Sequence, residues 1–416
     1  MAPTRNVRPA SVTIERGSLG IYTEYIDRKL EYRALVAERR AQLGRISTIR
    51  DRDVLVFAAN IARPNPQMQI GYGDLLPIRD QLSNLKGGRG LDLILETPGG
   101  SAESAEQIVR IIRNRYDHVA VIVPGMAMSA GTIMALAADD ILMDEASALG
   151  PIDAQLIQQG KVFSAEALLK GFDRIKDEVA STGVLNKAYI PMLQAVSPGE
   201  LEAASNALAL GRQLVRDYLV RHKFKDWTVH SSNGAPVTDD EKSARAEEIA
   251  SQLASHGRWR SHGRPIMLQD LEAMRVKITN FSTNPELADA IRRYFVLLHM
   301  TFDGTPIFKI FETPTSQIHR ALTPTTPQQL VATPEPNALG GGRRTGVPGV
   351  GDLTVNCSCG HDTKLQVNLG QPAPLRAGRK PYPVGDDLFR CPSCGTTHNL
   401  REAREQLEKQ TGQKVV

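Results

Sequence analysis

Two consecutive stretches decide the fold of this chain: LILETPGGSAESAEQIVRII at residues 93–112 and VPGMAMSAGTIMALAADD at residues 123–140. Each stretch joins an apolar run to a turn of small residues and then to a segment with helical periodicity. One turn holds Gly99 and Gly100, and the other holds Ser129. Strands that alternate with helices in this way form right-handed crossovers, so we predict an α/β fold with a mainly parallel sheet.

The remainder of the chain also shows patterns typical of helices and strands. We predict an amphipathic helix over 21–43, a buried strand over 52–61, and mostly helix from 165 to 248 with a polar break near 226–240. A Thr/Pro/Gly-rich stretch at 323–351 is typical of a linker, because it contains too few apolar residues to build a core. These changes of pattern predict four parts: an irregular N-terminal segment with an amphipathic helix (1–50), a main domain (51–312), a flexible linker (313–351), and a small cysteine-bearing module with a terminal helix (352–416).

Composition excludes several classes of protein. The 416 residues include 50 basic and 46 acidic side chains. With a net charge of only +4, we expect no positive electrostatic field over the whole surface that would attract nucleic acid. No apolar run approaches the roughly 18 residues of a membrane span, and the N-terminus lacks the core of a signal peptide. We therefore expect a cytoplasmic protein without a membrane span, in which four cysteines favour metal or thiol chemistry over disulfides.

The two small-residue turns each have a structural and a chemical interpretation. Gly99 and Gly100 are compatible with a plain strand-to-helix turn, but paired glycines also leave backbone N–H groups open to an anion. Small residues around Ser129 allow a helix to lie close to the sheet, but they also expose a hydroxyl. Neither stretch contains a dinucleotide or P-loop fingerprint. Because parallel strands end at the same edge of a sheet, the two turns together favour acyl transfer, with a nucleophile and oxyanion donors.

Three segments carry a resemblance to a known family: ETPGGSAESAEQIVRIIR, VIVPGMAMSAGTIMALAADDILMDEASALGPIDAQL and EALLK. They resemble the serine dehydrogenase proteinases of the Clp-protease/crotonase-like superfamily, which is related to signal peptide peptidase A and the NfeD-type proteases. The resemblance runs from about residue 50 to 280 and implies a Clp-protease/crotonase-like fold of repeated βα units. It further implies that Ser129 is the nucleophile, with oxyanion donors at Gly99 or Gly100 and at Ala130.

The resemblance also implies a lysine as the general base. No histidine lies between Ser129 and His222, which argues against a Clp-type triad. In the Ser–Lys relatives the lysine follows about forty positions later, and Lys170 in SAEALLKGF matches that spacing with apolar neighbours. Lys161 is the reserve candidate and Lys176 a distant third. A lysine on an amphipathic helix is otherwise usually a solvated charge.

Two further residues are secondary candidates. Asp153 lies in LGPIDAQL, which resembles a family motif although Ala154 replaces its second proline. Asp153 either orients a catalytic lysine, holds a neighbour's loop or caps a turn, and the turn cap is the preferred interpretation. His262 lies in GRWRSHGRPI, which resembles a family segment but has one extra residue and lacks the aspartate that follows the histidine. A structural role is therefore the preferred interpretation of His262.

The C-terminal module contains all four cysteines of the chain in two close pairs, each followed by glycine. This pattern predicts a zinc ribbon with one structural Zn²⁺, held by Cys357, Cys359, Cys391 and Cys394. The first pair is tighter than usual and 31 residues separate the pairs, so His361 or His398 is an alternative ligand. A disulfide or redox role is the other alternative, and such ribbons more often bind a partner protein or nucleic acid than catalyse a reaction.

These observations leave more than one class of function open. The first is a cytoplasmic serine endopeptidase that forms a homo-oligomer and cleaves peptide or protein substrates through a Ser–Lys dyad and an acyl-enzyme. The second is a catalytically silent oligomeric scaffold of the same fold, whose zinc module binds a protein or nucleic-acid partner. A crotonase-type acyl-CoA enzyme is a third and weaker candidate, because such sites seldom need a serine at position 129.

Overall fold

The computed structural model describes residues 20–63, 65–87, 90–158, 161–322, 349–357, 359, 361–411 and 413–416. The chain divides into two compact units, residues 1–322 and 323–416. The irregular segment predicted before residue 20 and most of the predicted linker lie outside the described residues. Within the described ranges, no helix combines the length and the apolar character needed to cross a bilayer.

The first unit alternates strands and helices as the sequence pattern predicted. Its helices are α1 (Ile21–Arg28), α2 (Tyr32–Arg50), α3 (Leu75–Ser83), α4 (Ala102–Arg113), α5 (Ala130–Leu136), α6 (Ala165–Thr182), α7 (Ile190–Gln194), α8 (Pro198–Tyr218), α9 (Asp239–Ala254), α10 (His256–Trp259), α11 (Leu268–Ala273) and α12 (Pro285–Gly304). Its strands are β1 (Asp53–Ala59), β2 (Leu91–Glu96), β3 (Val119–Ile122), β4 (Met126–Ala127), β5 (Asp140–Met143), β6 (Ala148–Leu149), β7 (Gln155–Gln158), β8 (Lys161–Ser164), β9 (Ile266–Met267), β10 (Thr279–Asn280), β11 (Ile307–Glu312) and β12 (Gln317–Ala321).

A seven-stranded sheet in the order β10-β5-β3-β2-β1-β11-β12 forms the centre of the first unit. The strands from β10 to β1 are parallel, and β11 and β12 add antiparallel strands at one end. The register places Leu93 beside Leu55 on one side and beside Val121 on the other. The predicted α/β fold of repeated βα units is therefore confirmed.

The central strands bury side chains on both faces, because successive residues of a strand point in opposite directions. Phe57 and Leu95 pack with helices α3, α4 and α5 on one face, whereas Val56 and Ile94 pack with α2 and α12 on the other. Helices on both faces make a three-layer unit. This arrangement leaves the carboxyl edge of the parallel strands open for a site.

The N-terminal helix belongs to the first unit, which corrects the predicted boundary at residue 50. The predicted single helix is broken at Lys29, which has a positive φ of 46° and separates α1 from α2. From α2, Arg39 donates to both carboxylate oxygens of Glu312 at 3.0 and 3.1 Å, and the side chains of this ion pair are fully buried. Tyr294 donates to the same carboxylate at 2.8 Å. A buried charge requires such partners, so α2 is part of the core.

The predicted linker also begins too early. Residues 317–321 form β12, which pairs with β11 from Glu312↔Gln317 to Ile307↔Ala321. Alternation in QIHRA is too short to be distinguished from a polar loop by its sequence. At the other end of the predicted linker, the second unit already begins with a strand at Gly349.

The second unit is a small β module followed by a helix. Its elements are β13 (Gly349–Asn356), β14 (Asp362–Leu369), β15 (Lys380–Pro381), β16 (Leu388–Arg390), β17 (Thr397–Asn399) and α13 (Arg401–Thr411). The strands β13 and β14 form one hairpin, and β16 and β17 form a second one. A core that includes Leu365, Val367, Tyr382 and Leu400 joins them.

Candidate active site and metal centre

Ser129 lies at a strained turn between β4 and α5. Its φ of 51° and ψ of −115° are unusual for a residue with a side chain, and such strain is often found where function requires it. The small residues around it are needed for close packing, since a Cβ atom on Gly131 would lie 2.4 Å from the Thr97 side chain. Ser129 is only partly exposed, and no side chain or backbone group of the described residues hydrogen-bonds to its hydroxyl. The turn therefore presents an unengaged hydroxyl.

The glycine turn lies directly against Ser129, as the reading of the sheet edge predicted. Gly99 has a φ of 99°, and a Cβ atom built on it would lie 2.6 Å from the Ser129 Cβ and 3.4 Å from the Ala130 nitrogen. Gly100, with a φ of 146°, is pressed equally closely against the backbone of Ile70. Only glycine combines these φ angles with such close approach.

The hydrogen bonds of this turn indicate which N–H groups are available. The Gly99 N–H donates to Thr97 Oγ1 at 3.2 Å, so this donor is already engaged, although by a long bond. Ala130 is the first residue of α5 and its N–H has no partner within the helix. Across the described residues, neither the Gly100 nor the Ala130 N–H has a backbone acceptor. Two of the three predicted oxyanion donors are thus open, and the third is in use.

A short segment before α3 holds the glycine turn in place. The Ile70 N–H donates to the Gly99 carbonyl at 2.7 Å, and the Ile70 carbonyl accepts from the Ser101 N–H at 3.0 Å. Four residues later, Asp74 forms a buried ion pair with Lys309 of β11 at 2.9 Å. Burial lowers the pKa of Lys309 and the Asp74 carboxylate opposes that shift. This pair fixes Ile70 relative to the sheet.

Glu96, which the sequence analysis did not identify, hydrogen-bonds to the strand that precedes Ser129. It ends β2 and accepts a hydrogen bond from the Met126 N–H at 2.9 Å. Its carboxyl group is almost fully buried, and this burial raises its pKa to about 8. The available signal was an acidic residue at the end of an apolar strand, immediately before the glycine turn.

A three-stranded sheet, β4-β6-β9, brings distant parts of the chain to the Ser129 edge. Ala127 pairs with Leu149 in parallel, and Leu149 pairs with Ile266 in antiparallel orientation. The chain after β4, the chain after β6 and the chain before β9 therefore leave the sheet at the same edge. Neighbouring strands are about 4.8 Å apart, so these three segments lie within roughly 10 Å. Ser129 is in the first segment.

The other two segments bring Asp153 together with two histidines. The carboxylate of Asp153 is buried, and it accepts hydrogen bonds from His262 Nδ1 at 2.7 Å and from His256 Nδ1 at 2.9 Å. Gln155 donates to the same carboxylate at 2.9 Å. Asp153 therefore holds the segment of its own chain that contains His256 and His262. His256 was missed, because nothing in the local sequence separates it from an ordinary surface histidine.

Lys170 lies beside this loop but is not buried. Its side chain is 54% exposed and its amine forms an ion pair with Glu166, four residues earlier on α6. Glu166 also accepts a hydrogen bond from the backbone N–H of His256, and a Cβ atom on Gly257 would lie 3.5 Å from Lys170 Nζ. The expected apolar surroundings of Lys170 are therefore not present. Lys161, the reserve candidate, is exposed on strand β8.

The four cysteines of the second unit form one cluster, and their sulfur atoms all lie within 4.8 Å of one another. The Sγ atoms of Cys357 and Cys394 are 3.4 Å apart, and those of Cys359 and Cys391 are 3.8 Å apart. These distances exclude disulfides and fit a tetrahedral site, whose S–S edges are about 3.8 Å for Zn–S bonds of about 2.3 Å. The four sulfurs could hold a metal ion, with no need for either histidine as a ligand.

Comparisons with known proteins agree with the sequence resemblance. An uncharacterized protein of Methanocaldococcus jannaschii is 36% identical over 188 residues, 45% of this chain and 51% of that protein. A second uncharacterized protein of the same organism is 41% identical over 105 residues, 25% of this chain and 37% of that protein. The chain thus spans about half the length of the first relative and little more than a third of the second.

Two solved structures of the 1510-N membrane-bound stomatin-specific protease are also similar to this chain. A serine-to-alanine mutant is 22% identical and covers 28% of this chain and 60% of its own, with a TM-score of 0.22. A lysine-to-alanine mutant in complex with a substrate peptide is 16% identical and covers 63% of this chain and 91% of its own, with a TM-score of 0.30.

One family match covers the glycine turn, Ser129 and Lys170. Residues 75–194 match the ClpP-like SDH-type serine proteinases. The resemblance read from the sequence is thereby confirmed for this part of the chain, which matches the model of that family.

Proposed function

We propose that this protein is a serine endopeptidase in which Ser129 is the nucleophile and Lys170 is the general base. The observation that carries this proposal is the contact between Gly99 and the unengaged, positive-φ Ser129. Such a turn aims a hydroxyl at a substrate carbonyl while the nearby N–H groups bind the developing oxyanion. The match of residues 75–194 to a serine proteinase family supports the same reaction.

The proposed reaction proceeds through an acyl-enzyme. Ser129 Oγ attacks the carbonyl carbon of a peptide bond and its proton passes to neutral Lys170 Nζ. The N–H groups of Gly100 and Ala130 stabilise the oxyanion, and the Gly99 N–H joins them if it releases Thr97. The C–N bond then breaks, the leaving amine takes the proton from Lys170, and water hydrolyses the ester.

Lys170 must change its surroundings before it can act as a base. Its amine is engaged by the Glu166 carboxylate, and a lysine serves as a base only as the neutral amine. We propose that the active arrangement forms when Lys170 leaves Glu166, on substrate binding or on association with a second copy. Exposed apolar side chains between residues 157 and 192, which include Ile157, Val162 and Met192, favour a homo-oligomer.

A second candidate base is His262, since an Asp–His pair is the usual partner of a catalytic serine. The Asp153–His262 hydrogen bond and its location at the Ser129 edge favour this alternative base.

A second candidate function, a catalytically silent scaffold, is favoured by the ion pair that engages Lys170. In either case we propose one structural Zn²⁺ in the cysteine cluster, a partner-binding role for that module, and a reducing cytoplasm that keeps the thiolates available.

The decisive experiment is covalent labelling with a fluorophosphonate probe, followed by hydrolysis of fluorogenic peptides. We expect the wild-type chain to be labelled and Ser129→Ala to lose both labelling and hydrolysis while it stays folded. Ser181→Ala, which removes an exposed hydroxyl on α6, is the matched control and should behave like the wild type. A folded wild-type chain that neither reacts with the probe nor cuts peptides would favour the scaffold.

A further inference from the structure

The segment of residues 256–264, HGRWRSHGR, which begins with α10, is a basic surface segment. We call it the arginine loop. Five of its nine residues are basic, and Arg258, Arg260 and Arg264 are exposed. Within the ranges that the structure describes, none of these three arginines forms an ion pair with a carboxylate. The loop therefore carries three uncompensated positive charges.

The arginine loop is ordered by a buried tryptophan. Trp259 is 4% exposed and donates from Nε1 to the Gln252 carbonyl at 2.8 Å. The guanidinium groups of Arg258 and Arg264 lie over its ring, at 5.1 and 6.0 Å from the centroid. Arg258 also donates to Gln252 Oε1 at 2.9 Å. Stacked arginines lose less side-chain freedom when they bind a carboxylate, so the loop is prepared for an anionic group.

The carboxylates nearest to the loop are already engaged by other groups. Asp153 accepts from His256 and His262, which anchors the loop at both ends. Glu166 pairs with Lys170. These two carboxylates therefore leave the three exposed arginines available to an anionic group of another molecule. A guanidinium and a carboxylate form a strong, often bidentate, hydrogen-bonded pair.

The location of the loop indicates what that molecule is. The loop runs into β9, and the chain just before β9 leaves the three-stranded sheet at the Ser129 edge. Ser129 lies two residues after β4 and Arg264 lies two residues before β9, so both are at the same end of this sheet. A nucleic acid fits less well, because it needs a row of basic groups along its backbone and the chain as a whole carries a net charge of only +4.

We propose that the arginine loop is a specificity element that selects peptide substrates with aspartate or glutamate close to the scissile bond. This inference rests on the proposed peptidase function, and its own content is the preference for acidic side chains. Arg264 is the one of the three arginines that lies closest in sequence to β9, and Arg258 stacks on the same tryptophan, so these two carry the preference.

The test uses three peptides that differ only in having Glu, Gln or Lys at the positions that flank one cleavable bond. For the full-length wild-type chain we expect kcat/KM to be at least about tenfold higher for the Glu peptide than for the Gln peptide, and lowest for the Lys peptide. The double variant R258Q/R264Q should cut the Glu and Gln peptides about equally. R33Q removes an exposed arginine of α2 that has no ion pair among the described residues, and it should keep the wild-type preference.

Two further measurements keep the outcome unambiguous. Fluorophosphonate labelling of Ser129 should be unchanged in R258Q/R264Q, so a failure of the peptidase function itself is recognised separately. Binding of fluorescent Glu, Gln and Lys peptides to the inactive Ser129→Ala variant should show the same order, with the Glu advantage decreasing as salt is added. Equal binding of the three peptides would overturn the proposal. The proposal would also be overturned if single-stranded DNA bound to the wild type and this binding were lost in R258Q/R264Q.

Discussion

Gly99 and Ser129 are in such close contact that a Cβ atom on Gly99 would lie 2.6 Å from the Ser129 Cβ. The two residues belong to successive βα units and come together because β2 and the strand that precedes Ser129 end at the same edge of the fold. The glycine turn and the serine turn are thus a single site.

Gly99→Ala should therefore abolish the reactivity of Ser129. The methyl group would displace the serine turn, and a positive φ adds about 1–2 kcal/mol of strain for any residue with a side chain. We expect fluorophosphonate labelling to slow at least about 100-fold. The matched control is Gly171→Ala on α6, where a Cβ atom meets no atom within 4 Å. Labelling of Gly99→Ala at the wild-type rate would remove the turn from the site.

Lys170→Ala should lose most of the peptidase activity, and the wild-type rate should rise with pH because only the neutral amine accepts the proton. Lys161→Ala and Lys176→Ala are the controls and should keep the rate. Glu166→Gln should retain activity, since it removes the ion-pair partner that Lys170 leaves in the proposed active arrangement. Full activity of Lys170→Ala with loss in His262→Ala would transfer the role of base to His262.

Glu96→Gln should change the pH dependence of stability. The pKa of Glu96 rises from 4.5 to about 8 on folding, because burial disfavours the charged form. The folded state therefore holds a proton that the unfolded state releases between pH 4.5 and 8, so this carboxyl loses stabilising effect as the pH rises through that window. Urea unfolding measures the free energy of unfolding of both proteins. The value for Glu96→Gln relative to wild type should increase by about 2 kcal/mol or more from pH 5 to pH 8.5. A constant difference would contradict the buried neutral carboxyl.

Arg39→Ala should destabilise the first unit by about 3–5 kcal/mol, because it leaves the Glu312 carboxylate buried without its cation. Arg45→Ala is the control, since its ion pair with Asp289 is more than one third exposed and should contribute less than about 1 kcal/mol. Chemical denaturation followed by circular dichroism measures both. Similar losses in the two variants would argue against α2 as a core element.

Cys391→Ser should remove one Zn²⁺ per chain and unfold the second unit, since metal binding and folding are coupled in a module with so small a core. The first unit should remain folded and Ser129 should still react with the probe. Metal analysis by mass spectrometry gives the stoichiometry, and Cys391→Ala serves as an independent second substitution. A metal-free wild-type chain with an ordered second unit would show that the cluster is not a metal site.

Local signals in the sequence were sufficient for the elements that build the site. Apolar runs identified β2 and β3, and helical periodicity identified α4. Ser101, which begins the helical segment, accepts the Ser104 N–H at 3.0 Å and caps α4. These features are determined by neighbours in the chain, because capping, turn formation and amphipathic spacing each involve only a few consecutive residues.

The contacts that support the site join residues that are far apart in the sequence. The sequence shows neither the Asp74–Lys309 ion pair nor the hydrogen bond from His262 to Asp153, since each joins residues more than 100 positions apart. The exposure of Lys170 likewise follows from how α6 packs, and its apolar neighbours in sequence do not reveal it. The serine turn and the glycine turn could therefore be predicted from the sequence alone, and their contact follows from the parallel strands. The supports of the site and the state of its base depend on strand register and helix packing, which form only when the whole sheet is assembled.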